Sequence, residues 1–126
     1  MACNDAQIRK DIVSRPEGFS TRLVKGGQNF SGGQRQRMEI ATALAREPVI
    51  LIMDEATSAL DPTTEEHVME AVRMMGATQI IVAHRLSTIR DCDEIIVMDQ
   101  GKIMQRGTHN ELIAQEGMYK ELMKSI

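Results

Sequence analysis

Val49-Ile50-Leu51-Ile52-Met53 is an unbroken apolar run bounded by Pro48 and by Asp54-Glu55. Its shortness and branched residues predict a strand buried on both faces, as in a parallel sheet, rather than a helix. Asp61-Pro62 then opens a helix, with Asp61 as cap and Pro62 at the first helical position. Val68, Val72 and Met75 form its i, i+4, i+7 apolar stripe, and Gly76 ends it. Ile80-Ile81-Val82-Ala83 reads as a second buried strand ending at His84. The order strand, helix, strand predicts a parallel crossover. Residues 94–98 form a third strand, and Asp99-Gln100-Gly101-Lys102 turns it into residues 103–105 as a hairpin. Thr108-His109-Asn110-Glu111 has the capping-box spacing and opens a helical tail through Leu122.

Upstream the pattern is weaker. Residues 2–14 predict a short helix, with Ala2, Ala6 and Val13 among its small or apolar positions, ended by Pro16 and Gly18. Residues 15–31 are glycine-rich loop. Ser31 is an N-cap, and a helix runs from about Gln34 to Arg46, supported by an Arg35/Glu39 pair at i,i+4. Pro48 marks its end. Neither an internal repeat nor a low-complexity tract interrupts the chain.

With 126 residues, the chain suffices for one domain with a real core. No apolar run approaches the ~20 residues of a membrane helix, and the polar first ten residues carry no secretory signal. The expectation is therefore a soluble chain without a transmembrane segment. A net charge of −3 leaves no basic footprint, so nucleic acid is not an expected partner. Cys3 and Cys92 lie far apart without metal-ligand spacing and read as free thiols in a reducing compartment. With only Phe19, Phe30 and Tyr119 as aromatics, ten methionines take over part of the core filling, the Met74-Met75 pair included.

Ligands of an open parallel sheet sit beyond the carboxyl ends of its strands. Two strands end there in ionisable groups, Asp54-Glu55 and His84, and the crossover helix returns both ends to one edge. A carboxylate so placed can hold Mg²⁺ through water. Its neighbour can orient and deprotonate a water, and a histidine can donate to a phosphate oxygen. Alone, either feature also fits a plain structural role, a cap or a satisfied strand-end histidine; their shared edge favours chemistry. Ser31-Gly32-Gly33 adds a helix N-terminus whose backbone an anion can approach closely. The Gln34-Arg35-Gln36-Arg37 run after it argues against a linker. His67 falls on the polar side of its helix, His109 fits the capping segment, and Cys92 reads as a packed thiol.

Four segments, in this order, resemble the ATP-binding cassette (ABC) ATPases. Asn29-Phe30-Ser31-Gly32-Gly33-Gln34 is similar to their signature motif. Residues 49–55 resemble the Walker B strand with its catalytic glutamate, and Ser58-Ala59-Leu60-Asp61 the D-loop. His84 in Ala83-His84-Arg85-Leu86-Ser87 resembles the switch histidine. The resemblance runs on to Gly107-Thr108-His109-Asn110-Glu111-Leu112.

It implies an α/β fold, mainly parallel, with a C-terminal hairpin and helical tail. Residues 1–47 would belong to the helical subdomain and 48–126 to the α/β core. It implies ATP and Mg²⁺ as cofactors, with Asp54 helping to hold the metal, Glu55 as general base and His84 on the γ-phosphate. Ser31, Gly32, Gly33 and Gln34 would meet ATP held by a second nucleotide-binding domain in a head-to-tail dimer, and Asp61 would communicate across it. The other implied partner is a transmembrane domain, which sets the chain at the cytoplasmic face of a membrane. The Asp54-to-Asp61 and Arg85-to-Ile89 segments resemble exporters. Those around Asp91-Cys92-Asp93 and Gln105-Arg106-Gly107 resemble exporters of leader-bearing peptides, bacteriocin systems among them, with Thr42 departing from the arginine common there.

No Gly-x-x-x-x-Gly-Lys-Ser/Thr occurs: Gly27 and Gly32 have the spacing, but Gly33 stands where lysine is required. The glutamine loop and base-stacking aromatic have no counterpart either. The chain thus resembles the C-terminal portion of a nucleotide-binding domain, and is expected to be inactive alone. Two other readings stay open, a non-catalytic module that pairs with a complete cassette and a soluble cassette ATPase unconnected with transport.

Overall fold

The structure, a computed structural model, describes residues 1–125. The chain begins as two short helices, α1 (Ala2–Asp5) and α2 (Arg9–Val13), not the single helix expected over residues 2–14. Gln7 breaks the run with a left-handed φ of 59°. The reason is packing: Ala6 and Ile8 are both fully buried, and at about 100° per residue a continuous helix would turn them to nearly opposite sides. Arg37 secures the break, donating to Gln7 O and pairing with Asp11 at 2.8 Å.

Residues 15–31 are loop, as expected, tightened by 3₁₀ turns at Gly18–Ser20 and Lys25–Gly27. Ser31 then caps α3 (Gly32–Leu44) in a reciprocal capping box with Gln34. The helix starts two residues before the expected Gln34 and stops at Leu44 rather than Arg46. Arg35 does not pair with Glu39; its guanidinium turns back to Gly26 O at 3.1 Å.

β1 (Ile50–Asp54) follows Pro48, but the expectation of burial on both faces fails. Leu51 and Met53 are buried, whereas Ile50 and Ile52 are 60% and 68% exposed. One face meets a core shared with Ile40, Leu44, Val68 and Val72. Among the described residues nothing comparable covers the other. Asp61 caps α4 (Pro62–Met74), Pro62 sits in its first turn, and Val68 and Val72 point into the core as expected. Met75 packs partly against that core, but Met74 is 82% exposed, so the pair is not core as a unit. Gly76 leaves the helix at φ 75°. β2 (Thr78–Val82) lies beside β1, the two joined through α4.

Met1–Ile81 is one compact unit and Val82–Ile126 another. The second begins with a helix that the sequence pattern did not announce, α5 (Leu86–Ile89). The expected hairpin follows: β3 (Ile95–Asp99) and β4 (Lys102–Gly107) pair antiparallel, with a register shift between Val97 and Met98. Gln100 and Gly101 turn the chain with φ of 49° and 76°. Two positive φ values in a two-residue loop match the right-handed strand twist. Thr108 caps α6 (His109–Ile113) by accepting from Glu111 N. The single helical tail is instead broken, and α7 (Met118–Lys124) starts after Gly117. There a side chain would collide with the Gln105 amide, its Cβ 2.7 Å from Nε2. Gln105 in turn accepts from Tyr119 N at 2.9 Å, which fixes the backbone of α7 against β4. Ile95, Val97, Leu112 and Tyr119 form this unit's core, with Cys92 packed at its margin. His67 is exposed, as expected. Among the described residues no helix is long and apolar enough to cross a membrane.

Candidate functional site: a helix N-terminus against a carboxylate turn

The approach to α3 is built by side chains of the preceding loop. Asn29 donates to Arg22 O and accepts from Val24 N, at 2.9 and 3.2 Å. Arg15 donates to Asn29 O at 2.7 Å and lays its guanidinium 4.0 Å over the ring of buried Phe30. Such a cation–π contact favours a charge held over the ring face. Phe30 anchors the loop, and the next residues, Ser31 and Gly32, emerge exposed.

A helix start leaves backbone amides without helical partners. Here Gln34 Oε1 takes Ser31 N at 2.9 Å, and Ser31 Oγ takes Gln34 N at 3.1 Å. The Gly32 and Gly33 amides take no partner among the described residues. Ser31 Oγ acts as acceptor in the cap, so its hydroxyl proton can still be donated. Two amides, one hydroxyl and the positive end of a 13-residue helix dipole therefore face outward together. Gln34 contributes by making the cap that frees them.

At the other side of the site, β1 delivers Asp54 as its last residue and Glu55 immediately after it, both exposed. Glu55 takes a left-handed φ of 52°, a conformation that costs a non-glycine residue about 1–2 kcal/mol. Strain of this kind persists only where the surroundings hold it, and here they do. Ser58 N donates to Glu55 O at 3.2 Å, and Leu60 N to Thr57 O at 3.0 Å. Thr57 and Glu65 are both buried and joined by a 2.8 Å hydrogen bond from Oγ1 to Oε2, which ties the turn to α4. From α3, Gln36 reaches the same turn at Glu55 O, Ser58 Oγ and Ala59 N. Gly33 lies so close that a Cβ there would stand 3.1 Å from Ala59 O. An open groove of about 270 Å³ runs beside this junction, with Gln36, Asp54 and Glu55 in its wall.

The structure thus brings the start of α3 and the carboxylate turn 54–60 against one another, through Gly33 and Gln36. Asp61, exposed at the end of that turn, is engaged by Thr64, accepting from its N at 3.1 Å and its Oγ1 at 2.6 Å. These hydrogen bonds hold its carboxyl below the ordinary aspartate range. His84 belongs to the second unit, two residues past the end of β2, and is exposed.

Among the described residues no three acidic, histidine or cysteine groups gather as a metal cage. The Asp54 carboxylate makes no hydrogen bond or ion pair with the described residues. One open carboxylate is too little for a free-standing metal centre. It does fit Mg²⁺, which takes one or two carboxylates and completes its octahedron with phosphate and water oxygens.

Sequence reasoning missed Gln36, Thr57 and Glu65. Gln36 stood inside the polar run noticed after the glycines, and one turn beyond Gly33 it shares that residue's face. Glu65 reads locally as an ordinary first-turn acid of a helix; nothing in its spacing announces burial.

The family model described as ABC transporter matches residues 5–58. The ABC multidrug transporter MDR5 of Trichophyton rubrum is 51% identical over 126 residues, 98% of this chain and 10% of that protein. The ATP-dependent lipid A-core flippase of Pseudomonas syringae pv. tomato is 50% identical over 123 residues, 96% of this chain and 20% of that protein. The chain therefore spans between a tenth and a fifth of these relatives. Its fold is similar to a bacterial Atm1-family ABC exporter solved with ATP bound, with a TM-score of 0.94 and 40% identity over 98% of this chain and 22% of that one. Over the stretch it spans, the chain is similar to the nucleotide-binding domain of ABC transporters of the exporter type, and it has the α/β fold of that ATPase.

Proposed function

We propose that this chain supplies the signature helix and the water-activating carboxylate of an ATP-driven exporter. The observation that carries the reading is the junction itself, the open N-terminus of α3 held against the Glu55 turn through Gln36 and Gly33. Residues 1–47 belong to the helical subdomain in this reading, and 48–126 to the α/β core. The Ser31 hydroxyl and the Gly32 and Gly33 amides bind the γ-phosphate of ATP seated on a second nucleotide-binding domain, head to tail. Glu55 orients a water and takes its proton at a carboxylate oxygen. His84 donates to a γ-phosphate oxygen, and Asp61 meets the facing domain. Asp54 is the residue that would hold Mg²⁺, whose charge offsets that of the phosphates when it is bound. A transmembrane domain is the further partner, at the cytoplasmic face of a membrane.

The cargo proposed is peptide, on the likeness of the segments around Asp91-Cys92-Asp93 and Gln105-Arg106-Gly107 to leader-peptide exporters. The relatives above are named instead for drugs and for a lipid, so transport by the full-length protein in vesicles should be compared across all three classes. Peptide uptake above the other two supports this part of the reading, and preferred uptake of drug or lipid overturns it.

For the hydrolytic reading, the test is Glu55→Gln in the full-length protein. The amide keeps the side chain's size but loses the basic oxygen. Hydrolysis should fall by about 10²–10⁴-fold while ATP binding persists. Unchanged hydrolysis, or binding lost with the rate per bound ATP intact, defeats the assignment. The 126-residue chain alone should not turn over ATP, since it has no phosphate loop with its lysine. Mg²⁺-dependent turnover by the pure chain, abolished by Glu55→Gln, would show this to be wrong.

A further inference from the structure

One side chain of α3 makes three hydrogen bonds to the turn after β1. Gln36 Nε2 donates to Glu55 O at 3.2 Å and to Ser58 Oγ at 3.0 Å, and its Oε1 accepts from Ala59 N at 2.8 Å. A primary amide has two donor hydrogens and one carbonyl oxygen, and all three functions are used here. The partners lie 19 to 23 residues away in sequence. The contact therefore belongs to the tertiary fold and not to either element alone.

The target is the segment that most needs holding. Glu55 is left-handed at φ 52°, and its carbonyl is the atom Gln36 grips. On the far side of the turn, Thr57 is fastened to Glu65 of α4. With Gln36 on the near side, the turn is clamped between two helices. The same helix α3 presents the Gly32 and Gly33 amides, one turn before Gln36.

We propose that Gln36 is a positioning residue that holds the Glu55 backbone to the signature helix. The carboxylate that activates water at one nucleotide and the amides that meet the other nucleotide then move as one piece. This rests on the function proposed above. Gln36 touches no reacting atom; it acts through Glu55. An amide is required because the grip needs donors and an acceptor together. Methionine fills a similar volume with neither capacity. Glutamate keeps the acceptor for Ala59 N but sets a carboxylate oxygen against the Glu55 carbonyl.

The first test uses the full-length protein and amide hydrogen exchange. In Gln36→Met, exchange of the Ala59 amide should rise at least about tenfold, with β1 and α4 amides unchanged. Unchanged Ala59 exchange overturns the clamp. The second test measures ATP hydrolysis by the full-length protein. Gln36→Met and Gln36→Glu should each lower kcat by about 10- to 100-fold, with KM for ATP within about twofold, because displacement of Glu55 affects reaction geometry and not nucleotide contacts. A fall in both variants with KM held supports the proposal; unchanged kcat, or a loss confined to KM, overturns it. In the Glu55→Gln background the Gln36→Met change should cost less than about twofold, since the group it positions is already disabled. Losses that multiply would show that Gln36 acts on something other than Glu55. If Glu55→Gln itself leaves hydrolysis intact, the functional reading fails while the exchange result still decides the clamp.

Discussion

Thr64 places Asp61 in a position where its charge matters to folding. The Thr64 hydroxyl and amide both donate to the carboxylate, and the folded-state pKa is lowered. A carboxyl with a depressed folded pKa contributes stability that is fully present above its unfolded value, about 3.9. That contribution is lost as pH falls through the folded value. Asparagine also caps helices but does not titrate. Acid unfolding of Asp61→Asn should therefore lack this component, so the wild type loses ground relative to the variant only below about pH 4. A constant difference across the acid range would contradict the linkage. The buried Thr57–Glu65 pair is the opposite kind of site, where the cost is desolvation. Thr57→Val keeps the shape and removes the donor, and should destabilise by about 1–3 kcal/mol in denaturant unfolding. A change within a few tenths would mean that the hydroxyl contributes nothing net.

Elements here are stopped and started by backbone demands that particular residues meet. The β3–β4 hairpin turns at Gln100 and Gly101, both with positive φ. Asparagine tolerates the left-handed region better than glutamine and is favoured at the first of these positions. Gln100→Asn should stabilise the second unit by about 0.5 kcal/mol, and Gly101→Ala should destabilise it by about 1–2 kcal/mol, both read from the thermal midpoint of the 126-residue chain. The α6–α7 pair closes over that hairpin through Tyr119, whose hydroxyl lies 2.7 Å from His109 Nδ1. Burial, with a smaller push from Cys92, raises the phenol pKa above its usual value. A raised folded pKa gives stability that is complete below the unfolded value, near pH 10, and declines above it. Tyr119→Phe should remove this alkaline dependence and, with the hydrogen bond lost, cost about 0.5–1.5 kcal/mol at neutral pH.

At the scale of the molecule, the first unit is a sheet covered on one side. Val49, Ile50, Ile52 and Ile80 are 81%, 60%, 68% and 52% exposed, and β1 pairs only with β2 among the described strands. An apolar edge with open backbone groups invites pairing with another chain. The 126-residue chain should therefore associate, as dimer, strand-exchanged assembly or aggregate, in light scattering. Ile50→Lys with Ile52→Lys should suppress this without lowering monomer stability, because both side chains already face outward. A monodisperse wild-type monomer with strong amide protection over residues 49–53 would contradict the expectation.

The chain's own sequence determined what local chemistry can determine. Ser31, Asp61-Pro62 and Thr108 start helices where expected, because a cap needs only the amide three residues on. Gln100-Gly101 makes the hairpin turn because two residues suffice to reverse the chain. The four motifs in order also sufficed to name the family resemblance. Tertiary structure alone decided the rest. The break at Gln7 follows from Ala6 and Ile8 both needing the core, and the demand for glycine at position 117 from the approach of Gln105. The one-sided burial of β1 depends on which neighbours are there to cover it, a fact absent from an apolar run. Gln36 and Glu65 look like ordinary polar helix residues until folding brings them to the turn that begins with Glu55. Their roles come from contacts across the fold, which no spacing along the chain encodes.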